Sequence, residues 1–226
     1  RQYYYAGNRN YRNFLAVMNT AIHLAPESNY LHDILQINRA YLAGVIDRLD
    51  IATHQKKSDS LLNAALEHER LALSLEPYAA YIHNELGNLF FQKHNYDSAS
   101  YHFNYASVLS PTWAIPWSNK IRLNLALNKL DKAKEAIHTA DSLQPNLAYI
   151  NANAGLVMEK ENNLLAAEGY YLSAIAQNNV HYLPHERLGK IYLQTGDYEK
   201  ADSFLYEAGR RKNEFAVNEF VFDFGI

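Results

Sequence analysis

The 226-residue chain contains no cysteine. Disulfides, thiolate metal sites and cysteine nucleophiles are thereby excluded, and the absence fits a reducing compartment without ruling out an exported protein. Glycine and proline are sparse, at 9 and 6 residues, and no low-complexity linker divides the chain. No apolar run approaches the roughly 20 residues that a membrane-spanning helix needs. The chain opens at Arg1 without an initiator methionine or a signal-like segment, a start that a removed leader would also leave. A formal charge of −3 offers little attraction for nucleic acid or an anionic membrane, and neither is expected as a partner. What is abundant is apolar surface, at 48% of residues, enough for a substantial core.

The order within that composition is periodic. Pro77, Pro111 and Pro145 are equally spaced, each closing a run of the type A-x-x-L-x-P. At the same interval Gly87, Gly155 and Gly189 form a column, interrupted by Ile121. Two alanine columns run beside it: Ala65, Ala99, Ala133, Ala167 and Ala201, then Ala72, Ala106, Ala140, Ala174 and Ala208. Large residues fill the spaces between, among them Phe103, Ile137, Tyr171 and Leu205. Helices cross at about 8–10 Å only where side chains at the crossing are small, so each period reads as two antiparallel helices with a glycine facing an alanine. Asn10, Asn95, Asn163 and Asp197 precede the second helices and are predicted to cap them. Pro116 and Pro184 fall in the first turn of first helices, where the missing N–H costs nothing.

This pattern resembles the tetratricopeptide repeat family, whose unit is a 34-residue helix–turn–helix. The resemblance implies an all-α fold, a right-handed superhelix of about six stacked helical hairpins forming one array over residues 1–226. The units are a partial repeat at 1–28, then 31–79, 80–113, 114–147, 148–181 and 182–215, with the start of a further first helix at 216–226. The unit 31–79 is longer than the period, and longer helices joined by a polar loop are expected around IATHQKKSDS, 51–60. Because the pattern opens and closes in mid-repeat, a window from a longer array is the expectation.

Motifs that carry catalysis are missing from the sequence. His68-Glu69 and His185-Glu186 do not continue to the second histidine of a zinc-protease helix. His181 and His185 are separated by Pro184, and Asp223-Phe224-Gly225 lacks every other kinase element. No enzyme activity, metal or cofactor is expected. In the family the first helices line a concave groove, so their exposed places become the candidate site. One row there holds Arg39, Asn88, Arg122, Leu156 and Lys190; another holds Gln36, Glu85, Asn119, Asn153 and Arg187; a third holds His32, Tyr81, Ile115, Tyr149 and Leu183.

Asn88, Asn119 and Asn153 can take a peptide backbone bidentately. Arg39, Arg122, Arg187 and Lys190 can pair carboxylates, while Tyr81 and Tyr149 provide apolar anchors with a polar tip. Relatives that clamp the carboxy-terminal tails of chaperones use two asparagines flanked by basic residues. Asn88 and Asn119 match that pair, but Asn84, Tyr149 and Asn153 stand where the basic residues are required. The expected function is a non-catalytic scaffold holding a protein or peptide of some acidic character in the groove. A regulatory or targeting part of a larger enzyme or sensor, and a cell-envelope assembly or uptake component, remain as alternatives.

Overall fold

First helices of successive hairpins start at Ala80, Ala114 and Ala148, and second helices at Tyr96, Leu130, Leu164 and Tyr198, so both series advance by the interval of the proline column. The computed structural model describes residues 11–28, 30–32, 35, 55–177 and 182–222. Among the described residues the regular structure is helical throughout: α1 (Tyr11–Leu24), α2 (Gln55–Leu75), α3 (Ala80–Gln92), α4 (Tyr96–Leu109), α5 (Ala114–Ala126), α6 (Leu130–Leu143), α7 (Ala148–Lys160), α8 (Leu164–Gln177), α9 (Tyr182–Thr195) and α10 (Tyr198–Phe222). They form two compact units, Arg1–Pro111 and Thr112–Ile226. The first contains the hairpin α3/α4, with α2 packed on α3; the second contains α5/α6, α7/α8 and α9/α10. In the second unit α7 packs on both α5 and α6, and α9 on α8, so each hairpin covers the apolar face of its predecessor.

The turns inside the hairpins repeat as strictly as the helices. His94, Asn128, Asn162 and Gly196, again one per repeat, hold left-handed φ values of 56°, 56°, 59° and 83°. The next N–H in each case returns to a carbonyl near the end of the preceding helix: Asn95 to Phe90, Lys129 to Asn124, Asn163 to Met158 and Asp197 to Tyr192, at 2.8–2.9 Å. This closure satisfies a carbonyl that the helix end leaves without a partner. The residue that closes one helix then opens the next. The side chains of Asn95, Asn163 and Asp197 accept from the N–H groups of Ser98, Ala166 and Lys200, each at 3.2 Å. Lys129 opens α6 without a side-chain bond, and Asn10 lies outside the described residues.

Gly87, Gly155 and Gly189 sit against large residues of the second helices and not against the expected alanines. A Cβ on Gly87 would lie 2.5 Å from the Phe103 ring, on Gly155 2.4 Å from Tyr171, and on Gly189 2.6 Å from Leu205. Each glycine therefore accommodates the large residue at one fixed place in the second helix of its hairpin. Where Ile121 replaces glycine, Ile137 stands at the large partner's place, and both are buried in one core cluster. The alanines Ala65, Ala99, Ala133, Ala167 and Ala201 are fully buried.

Three boundaries differ from the sequence reading. His83 donates through Nε2 to the Pro77 carbonyl at 3.2 Å and meets His102 Nδ1 at 3.0 Å. The same arrangement occurs one repeat earlier, with His32 Nε2 on the Pro26 carbonyl at 2.8 Å and its Nδ1 3.2 Å from His68 Nδ1. Leu35 is buried as Leu86 is. The early repeat thus counts from Pro26 to Pro77, and its rows shift by two: Tyr30, rather than His32, corresponds to Tyr81. Arg39 lies outside the described residues and on this register no longer shares a row with Asn88. Longer helices joined by a polar loop are expected around 51–60; α2 is such a longer helix, 21 residues from Gln55, so 55–60 are helix and not loop. Residues 55–75 contain neither glycine nor proline, and the opening Gln-Lys-Lys favours helix; residues 51–54 lie outside the description. Finally, the further first helix expected at 216–226 is absent through Phe222, because α10 continues unbroken for 25 residues. Asn213 stands where a proline would end it, and 210–222 hold no glycine or proline. Residues 223–226 lie outside the described part.

Candidate functional site

In the second unit α5 and α7 lie side by side as successive first helices, and their shared face opens into a cavity of about 320 Å³. Ile115, Ser118, Asn119 and Arg122 line it from α5, and Ala148, Tyr149, Ala152 and Asn153 from α7. Ala174 of α8 and Leu183 and Pro184 of α9 complete it. The i, i+3, i+4, i+7 spacing within α5 is what places four of its residues on one face.

Two amides form the polar part. Asn119 and Asn153 are only 7% and 8% exposed. Asn153 Nδ2 donates to Ser118 Oγ at 3.0 Å across the two helices. Arg122, exposed at the mouth, donates from its guanidinium to Asn119 Oδ1 at 3.2 Å. Tyr149 is half-buried, and that burial pushes its phenol above the ordinary range.

Four of the predicted site residues, Asn119, Arg122, Tyr149 and Asn153, thus converge on one cavity. Arg187 and Lys190 do not line it. Arg187 pairs with Glu159 at 3.4 Å, and the other Glu159 oxygen accepts from the Tyr171 hydroxyl at 2.5 Å. Burial of Tyr171 and its bond to Glu159 push that phenol far up. Lys190 pairs with Glu186 one turn away. Both cations are held by acidic neighbours of their own unit. In the first unit Tyr81 donates to Glu76 at 2.9 Å, and Asn88 Nδ2 lies 3.3 Å from Glu85. The Asn88 Oδ1 is buried without a partner among the described residues.

Sequence reading missed Ser118, Ala148, Ala152, Ala174 and Pro184. It searched the groove rows for charge and amides, whereas the cavity exists because side chains there are small. A signal was present: Asn84 and Glu186 occupy, in α3 and α9, the place that Ser118 and Ala152 hold in α5 and α7. Among the described residues no group of three or more metal-ligating side chains is assembled, and no helix is long and apolar enough to cross a membrane.

No family model matches the chain, and no curated protein matches its sequence. Its backbone is nevertheless similar to many solved structures. PilW, a widely conserved type IV pilus biogenesis factor, superposes with a TM-score of 0.69 at 18% identity, covering 90% of this chain and 86% of its own. A thermophilic TPR protein of Thermus thermophilus gives 0.64 at 17% identity, covering 82% and 96%. The human IFIT1 dimer with m7Gppp-AAAA gives 0.71 at 19%, covering 88% of this chain and 46% of that one. In fold the described residues are similar to those of tetratricopeptide-repeat proteins, an all-helical array of stacked hairpins.

Proposed function

We propose that the protein is a non-catalytic interaction scaffold and that the α5/α7 face binds an extended peptide segment of a partner protein. The carrying observation is the pair of nearly buried amides, Asn119 and Asn153, on neighbouring first helices above a mostly apolar cavity. Helices packed at about 8–10 Å present the amides at the span of about three residues of an extended chain. A carboxamide can accept from and donate to a peptide group at once. Arg122 adds one cation to the mouth, which favours partners with acidic character. An RNA ligand would call for several cations and exposed aromatic platforms, and Arg122 is the one charged residue of the lining.

The test is selection of random linear peptides, about a dozen residues long to exceed that span, by the full chain, followed by binding to the triple variant N119A/R122A/N153A. Enriched peptides should lose at least about tenfold in affinity for the variant, with an unchanged melting temperature. Retention of full affinity by a stably folded triple variant would remove this face from the reading.

A further inference from the structure

The cavity beneath the amides carries a statement about which peptides enter. It is bounded by the apolar side chains of Ile115 and Leu183 and opened by the small residues Ser118 and Ala152. Asn153, 8% exposed, donates through Nδ2 to Ser118 Oγ and lines the cavity with its carboxamide. Arg122 stands at the mouth. About 320 Å³ exceeds what one ordered water fills and suits a single large side chain. A carboxamide oxygen carries two lone pairs, so Asn153 can accept from a backbone N–H beside the inserted side chain. We infer that this cavity takes one bulky apolar side chain, aromatic or leucine-like, from an extended peptide with an Asp or Glu within a few residues of it. This rests on the peptide-binding reading above and adds its side-chain chemistry.

The size variants are chosen from the repeats. Ala148 and Ala152 are half-buried, so larger side chains there project into the cavity instead of the core. Tyr182 and Glu186 occupy the same two places in α9, which shows that the fold tolerates bulk at them. Peptides selected by the full chain should share a Phe, Trp, Tyr, Leu or Ile near an acidic residue. Replacing that apolar residue by Ala should weaken binding at least about tenfold. A152L, and independently A148L, should do the same without changing the melting temperature, while R122A should cost a smaller factor and erase the acidic preference.

The outcomes separate. If no linear peptide is enriched, the peptide-binding reading fails and this inference with it. If peptides are enriched and lost in N119A/R122A/N153A, yet carry no apolar consensus or bind A152L and A148L as well as wild type, only the cavity inference is overturned. An oligoadenylate of similar length that binds the full chain, competes with the peptides and is blocked by A152L would overturn it in favour of a nucleic-acid base as occupant.

Discussion

At Gly155 an added methyl group would meet the Tyr171 ring at 2.4 Å, whereas at Gly169 it would meet nothing within 4 Å. The two glycines lie in helices of the same hairpin, yet their alanine variants should move in opposite directions. Gly155→Ala forces a buried ring to shift and should cost about 1–3 kcal/mol by overpacking. Gly169→Ala, in the middle of α8 with open space around it, should add about 0.5–1 kcal/mol by removing backbone freedom from the unfolded chain. Midpoints of urea unfolding read both; equal shifts of one sign would contradict the pairing of glycine with the large residue. Sequence spacing exposed the glycine column but not its partner, because a fixed interval says which positions are equivalent and nothing about which of them touch.

The α3/α4 hairpin carries its own pH response. A carbonyl can only accept, so His83 Nε2 donates to Pro77 and its Nδ1 must accept from His102 Nδ1–H. The Phe90 ring stacks on His102, and Tyr105 meets the edge of His83. Burial, with the charge of His83 second, pulls His102 down to about 4, and burial pulls His83 down as well, against the opposing effect of the Pro77 carbonyl. An unfolded histidine titrates near about 6.5, so between that pH and about 4 the unfolded chain binds protons that the folded hairpin refuses. Stability is therefore full above about 6.5 and falls as the pH is lowered through that window. In H102F the pair is replaced by the ring that Phe204 presents to His185. Between pH 7.5 and 5 wild type should lose about 2–4 °C more in melting temperature than H102F. An identical pH slope in the two proteins would show that the pair does not set the response.

In the second unit every helix packs on near neighbours in the chain. Contacts that local make a stack whose stability is the sum of its hairpins and their interfaces. Ala133 is fully buried in the cluster shared by α5, α6 and α7. Ala133→Arg places a charge where no partner waits, and it should cost more than about 3 kcal/mol. Because that cluster is common to two hairpins, hydrogen exchange should show lost protection in α7 as well as in α5 and α6. Loss confined to α6 would mean that the hairpins do not share their core.

Much of this architecture is legible along the chain, since the caps and the columns of small and large residues return with every repeat. Asn95, Asn163 and Asp197 had to be polar for reasons confined to a single turn, and the helix starts follow from them. The early repeat misled because its rows are displaced by two residues; the histidine bonds to Pro26 and Pro77 restore the register. The cavity between α5 and α7 belongs to a different kind of information. Arg122 and Arg187 are equivalent in chemistry and both fall on groove rows, but Arg187 pairs with Glu159, while Arg122 bonds to Asn119 and lines the cavity. The cavity itself is space left by small side chains on helices distant in sequence. Volume and charge pairing depend on every neighbour at once, so only the fold shows that Asn119, Arg122, Tyr149 and Asn153 line one cavity.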